Sequence, residues 1–275
     1  MGAYRITPMG QVKVYFGKCI RLFINEKQWK SFFSTAIIML IISMVTSKQM
    51  FVDYAPTKTG AFTVVCACIW VGLFNSIQSI CRERAIIKRE YRTGLLISSY
   101  IYAHVLYEAL LCAIEAAIIT LLVIFKNSSH LPPDGLLFGV FIDFYLTFFL
   151  VTFSSDMIAV MISSMVKKET TAMTIMPFVL IIQLVMSGGV GFKLTGIAEM
   201  ISYLTVSKWG LNAILAISNT DWNVYGQFQY AGESGACTDP EAGSLLGVWF
   251  LLLAFCAAYI FLSILLLKRV DKDER

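Results

Sequence analysis

The residues with the clearest capacity for chemistry are acids set within apolar runs. Glu108 and Glu115 stand seven residues apart in one run, which puts both on one face of a helix. Asp143 and Asp156 lie in another, thirteen apart, or about 20 Å along a helix. Facing carboxyls can share a proton and activate water, as in aspartyl proteases. Two aspartates that far apart on one helix cannot. His104 and His130 sit at opposite ends of an apolar run and cannot share a site. No G-x-S-x-G, H-E-x-x-H or Ser-His pairing occurs, and no G-x-x-x-x-G-K-[ST] that would cradle a nucleotide. The four acids (Glu108, Glu115, Asp143 and Asp156) therefore have two readings. They form a polar patch that contacts a substrate or relays conformational change, or they are protonated or hydrogen-bonded carboxyls that fix helix packing. Asn75 and Gln183, in other apolar runs, could meet them.

A second constellation is Cys81 to Tyr107, CRERAIIKREYRTGLLISSYIYAHVLY. Arg82, Glu83, Arg84, Lys88, Arg89, Glu90 and Arg92 crowd between two apolar runs. Each such charge at mid-bilayer costs about 2.5–3.5 kcal/mol on insertion scales, so the segment must dip out of a membrane and return. Ile86 and Ile87 give it one apolar flank. A charged elbow of this kind suits the docking of a soluble partner; its alternative is a solvated loop, worth little in stability.

Composition requires a membrane for these residues. The chain is 57% hydrophobic and 15% charged, with mean hydropathy +0.72, far from soluble averages. Several runs approach the roughly 20 residues that cross a bilayer, and backbone in lipid must be helical. Val12–Ile24 places Val12, Tyr15, Phe16, Cys19, Ile20 and Phe23 on one face, an interfacial amphipathic helix. Spans are expected at about 31–51, 61–81, 101–125, 135–165, 171–187 and 243–267, with Pro56–Gly60 a loop and Pro177 kinking the fifth. Residues 195–218 are apolar but interrupted by Glu199 and Lys208, and read as a re-entrant helix pair before an external loop at 219–243. Six spans place seventeen Lys and Arg on one side and five on the other, so both termini are cytoplasmic. The fold class is all-α integral membrane, with residues 1–30 an N-terminal segment, 31–267 the six-span domain and 268–275 a tail. The net charge of +4 calls for no nucleic acid. Of seven cysteines, Cys237 alone falls on the external side, where an inter-subunit disulfide or a free thiol are both open.

Glu83, Glu90-Tyr91, Gly94, Ser99-Tyr100 and Glu108 together resemble the coupling-helix signature of type-2 ABC export permeases, and the G-subfamily half-transporters in particular. Trp70–Arg84 (WVGLFNSIQSICRER) with Lys88-Arg89-Glu90 is similar to prokaryotic members, and the likeness runs from about Val12 to Leu267. The resemblance implies an amphipathic connecting helix, six spans and a cytoplasmic coupling helix at 82–93. That helix would receive force from an ATPase through Glu83, Arg84, Lys88, Arg89, Glu90 and Arg92. It implies two paired domains, the partner being a second copy or a related permease, in the plasma (inner) membrane. A path lined by spans two and five would carry an amphipathic or lipid-like substrate outward, past Trp70, Phe74, Asn75, Gln78, Phe178, Ile181, Gln183 and Met186. The gate would lie at Gly188, Gly189 and Val190, where the bulky pair of drug-exporting relatives is missing. The chain itself would bind no cofactor; ATP and Mg would sit on a separate ATPase chain. The contrasting reading is a non-enzymatic assembly protein whose elbow docks a partner other than an ATPase.

Overall fold

Helices supply all the regular structure among the described residues, which in this computed structural model are 7–47, 49–52, 54–132, 135–189, 196–218 and 242–268. In order they are α1 (Pro8–Asn25), α2 (Lys30–Val45), α3 (Tyr54–Ser76), α4 (Ser79–Arg92), α5 (Ile97–Lys126), α6 (Val140–Met165), α7 (Glu169–Val185), α8 (Ile197–Ser202), α9 (Val206–Ser218) and α10 (Ala242–Leu267). α6 is the central pillar. Its most apolar stretch is 83% buried, against 22% for α10, whose outer side is left to lipid. α3, α5 and α10 surround α6, α1 and α2 lie along α5, and α9 fills the gap between α3, α6 and α10.

Small residues decide how closely the pillars approach. A Cβ at Gly72 would sit 2.3 Å from the Thr152 carbonyl oxygen and 3.0 Å from the Asp156 nitrogen. Only glycine lets α3 and α6 meet backbone to backbone there. Gly210 plays a milder version of this part on α9, against Val151 and Val65.

Among the described residues, four helices are long and apolar enough to cross a membrane: 55–92 as one run, α5, α6 and 245–267 of α10. α1 and α2, bent by 68° at their junction, make a fifth candidate together. α2 and α7, expected as the first and fifth spans, have 16 and 17 residues, at the lower limit of about 17 for a spanning helix. α2 stops at Val45 rather than near Phe51, and the chain turns through 49–52 before α3. Pro56–Gly60, expected as a loop, is the first part of α3. Pro56 occupies the opening turn, where the missing N–H has no intrahelical acceptor to lose. α7 continues through Pro177.

α1 covers the stretch read as amphipathic: Thr7 Oγ1 accepts from the Gly10 N–H, Pro8 opens the helix and Cys19 is buried against α5. α8 and α9 occupy the stretch expected to re-enter. α9 is deeply packed, while α8 presents Ile197 and Met200 to the outside.

Candidate functional site

The elbow is helix α4, and it runs on from α3 after a break at Ile77–Gln78. The run 55–92 has 38 residues, a contour of about 57 Å. That exceeds the roughly 30 Å hydrocarbon core, so the run is longer than one span needs. The start of α4 is held by α6: the Ser163 hydroxyl accepts from the Ile80 and Cys81 N–H groups, each at 3.0 Å. In return Arg84 donates to the Ser164 and Val166 carbonyls, at 2.8 and 3.1 Å. Each helix thus satisfies the other's terminal backbone groups, with the guanidinium at the negative end of the α6 dipole. α4 ends where Gly94 takes φ +109° and the Leu95 N–H returns to the Glu90 carbonyl.

The flank expected from Ile86 and Ile87 is split. Ile87 is fully buried, and with Ile80, Cys81 and Leu95 it forms the inner face; Ile86 is 40% exposed. Neighbours on a helix point about 100° apart, and here that angle carries Ile86 past the edge of the buried face.

The two elbow glutamates turn inward too. Glu83 Oε2 accepts from Lys18 Nζ and from the Tyr100 hydroxyl, both at 2.9 Å. Glu90 Oε2 accepts from the Tyr15 hydroxyl at 2.9 Å. Gln11 closes the far end, donating to the Gly94 carbonyl and accepting from the Leu96 N–H. Arg82 pairs with Glu26 at the near end. α4 is therefore clamped along its length to α1, and through Tyr100 to α5. Burial, then the hydrogen bond to Glu90, pushes the Tyr15 phenol above its ordinary range. Burial pushes the Cys19 thiol up to about 12, reinforced by the Glu83 and Glu108 charges. On the opposite face Arg82, Ala85, Ile86, Arg89, Arg92 and Thr93 are exposed. That stripe has helical spacing, basic with one isoleucine near its middle.

The intramembrane acids separate into three environments. Glu115 is fully engaged: Asn75 Nδ2 donates to it at 2.7 Å, and the hydroxyls of Ser31 and Thr35 lie 3.0 and 3.4 Å away. Ser31 is also 3.0 Å from Asn75 Oδ1, so its one proton can serve either acceptor. Asp143 does not join Glu108 or Glu115. It accepts from the Leu137 and Phe138 N–H groups at the start of α6, where an acid complements the dipole. Asp156 and Glu108 are near enough to feel one another's charge, with Ser76 beside both.

Gln183 does not join the acids either. It is buried, and its side-chain carbonyl accepts from the Ser207 N–H at 3.2 Å while the Ser207 hydroxyl donates to its backbone carbonyl. It binds α7 to α9. Trp70 and Phe74, stacked at 5.0 Å, are exposed, as are Phe178 and Ile181. Asn75 is held by Glu115, and Gln78 and Met186 are half-buried. The exposed four, Trp70, Phe74, Phe178 and Ile181, give α3 and α7 outward apolar surface. An apolar groove of about 410 Å³ opens elsewhere, between α1, α5 and α6 around Phe16, Leu110 and Phe149. Where a gate is expected, Gly188 has φ +75°, and a Cβ at Gly189 would meet the Phe62 ring at 2.3 Å. The end of α7 is thus pressed against a phenylalanine of α3. Val190, Cys237, most of the loop 219–243 and most of the tail 268–275 lie outside the described residues.

Tyr15, Lys18, Glu26 and Ser163 were not legible as site residues. Only the position of Tyr15 on the α1 inner face hinted at its part, because pairing between α1 and α4 depends on how the two helices pack.

The described residues form a helical bundle with helices long and apolar enough to cross a membrane, and the charged helix α4 packs on it through one face. The sequence of residues 11–218 matches the ABC-2 type transporter family, and the chain belongs to that family. It is also similar to an ABC transporter ATP-binding/permease protein of Mycobacterium tuberculosis, 25% identical over 166 residues, or 59% of this chain. The chain spans 19% of that relative's length.

Proposed function

We propose that this chain is the membrane-spanning subunit of an ABC exporter, and that an ATPase docks on the outer stripe of α4. The observation that supports this most is the division of that helix: its glutamates are consumed by α1 and α5, while Arg82, Ile86, Arg89 and Arg92 remain exposed on one face. In this reading ATP and Mg are carried by a P-loop ATPase on a separate chain. The similar mycobacterial protein bears ATP-binding and permease functions in its printed description, a pairing this reading distributes over two chains. Two copies, or one copy and a related permease, would meet across the exposed α3–α7 face, so that Trp70, Phe74, Phe178 and Ile181 line an amphipathic path between subunits. In this arrangement α2, α3, α5, α6, α7 and α10 are the six spans, α8 and α9 the re-entrant pair, and both termini face the cytoplasm of a plasma (inner) membrane protein.

The test is ATP hydrolysis in nanodiscs by this chain mixed with the ABC ATPase encoded nearest to it. A stable complex is expected whose turnover falls at least tenfold with Arg89→Glu or Ile86→Asp, variants that touch no internal bond of the clamp. Failure of any ABC ATPase to bind the parent chain overturns the proposal and favours a docking protein for some other soluble partner.

A further inference from the structure

Ser76, Glu108 and Asp156 come from three different helices, α3, α5 and α6, and converge inside the bundle one helical turn from the Gly72 contact. All three are buried, at 0, 2 and 0% exposure. Among the described residues, Ser76 Oγ, Glu108 Oε2 and both oxygens of Asp156 find no partner in hydrogen-bonding geometry, although Ser76 lies beside both carboxyls, and Thr152 Oγ1 one turn away on α6 is likewise unpartnered. So much orphaned oxygen is costly in a protein interior, each unpaired polar group by about 1–3 kcal/mol. Groups that act on the pair electrostatically or are acted on by it are Glu115, Cys112 and Tyr107 of α5, Cys19 of α1 and Cys256 of α10. None of these carries a positive charge. Two carboxylates side by side in such surroundings cannot both stay ionised.

We infer that Glu108, Asp156 and Ser76 form a proton-binding site, in which one exchangeable proton is held between the two carboxyls with the Ser76 hydroxyl as the third partner. A proton is the occupant the arrangement favours. It needs no cavity, it lets one carboxyl donate to the other, and Ser76 can donate or accept as the proton moves. Ser76 is the last residue of α3, just before the break that leads into the elbow. The site therefore joins three helices at the root of α4 when protonated, and drives two of them apart by like-charge repulsion when the proton leaves. Its use in transport rests on the reading of α4 as the ATPase dock; the existence of the site does not.

Infrared difference spectroscopy of the chain in lipid nanodiscs, in H₂O and D₂O, tests the site directly. The expected result is a protonated-carboxyl carbonyl band at neutral pH that shifts in D₂O. It should be altered in both Glu108→Gln and Asp156→Asn and unmoved in Asp143→Asn. Absence of the band in the parent overturns the proposal, as does a band that survives both variants. A band that disappears on adding sodium at fixed pH overturns it too, because the occupant is then a metal cation. With the ATPase bound, ATP turnover of the parent should change at least threefold between pH 6 and 8, and that of Asp156→Asn should be flat. A normal spectrum without a functional partner would sink the exporter reading and leave the proton site standing.

Discussion

Glu83 is the clearest place to break the molecule on purpose. Its carboxylate is the acceptor for both the Lys18 ammonium and the Tyr100 hydroxyl. The two donors are not equally vulnerable. The Lys18 side chain is 33% exposed and can return to water when Glu83 is removed, so its pairing contributes only about 0.5–1 kcal/mol. Tyr100 is 1% exposed, and a buried hydroxyl stripped of its acceptor costs about 1–3 kcal/mol. Glu83→Ala is therefore expected to destabilise the fold by about 2–3 kcal/mol, most of it through tyrosine rather than lysine. In a chain of this size that corresponds to roughly 5–10 °C in Tm, readable by tryptophan fluorescence in nanodiscs. Cys19 supplies a second readout. It is buried where α1 lies on α5, so release of α1 should speed its alkylation by maleimide several-fold. In a double-mutant cycle, Tyr100→Phe should cost little once Glu83 is gone. A Glu83→Ala protein that melts with the parent and keeps Cys19 protected would refute the clamp as described here.

Other outcomes follow from the same geometry. The Tyr15 phenol is held above its ordinary range by burial and by Glu90. Its contribution to stability is present below about pH 10 and lost as pH rises beyond that, so Tyr15→Phe should flatten the alkaline limb of a stability–pH curve while costing about 1 kcal/mol at pH 7. Asn75→Leu strips Glu115 of its shortest hydrogen bond and should destabilise by about 2 kcal/mol, whereas Asn75→Asp at low pH, where the new acid is neutral, should recover part of the loss; equal Tm values for the two variants would speak against the network. Gly72→Leu cannot be housed against the Thr152 carbonyl, and the chain should fail to yield monodisperse protein in detergent, in contrast to Gly17→Ala at a position with no close neighbour but Arg21.

Membrane helices were legible because lipid leaves the backbone one choice, and long apolar runs such as those of α5, α6 and α10 announce it. Ends were legible only where composition changes. Pro56 suggested a loop, yet a proline in an opening turn disturbs nothing, and the two cases look alike in one dimension. The site was legible as a list of charges but not as a direction. Glu83 and Glu90 are seven residues apart and so share a face of α4, but which face meets α1 depends on Tyr15, Lys18 and Tyr100 lying opposite. Among the acids, Asp143 and Asp156 read alike in sequence. One lies within reach of free N–H groups at a helix start, and the other lies beside Gly72 of α3, where the contact leaves no room for anything but backbone.

That contact has a mechanical meaning. Two helices touching backbone to backbone there have a carbonyl oxygen in the way of sliding, so rocking of α3 about Gly72, as a beam on a fulcrum, is the motion this contact leaves easiest. The arms are unequal: four residues to Ser76, about 6 Å, and eighteen to Tyr54, about 27 Å. A push of 1 Å at the short arm, where the elbow begins, would swing the far end by about 4 Å in the opposite sense. Phe62, pressed on Gly189, rides on the long arm. If an ATPase pushes on α4 as proposed, gearing of this kind would turn a modest stroke at the short arm into a larger displacement where Phe62 meets Gly189.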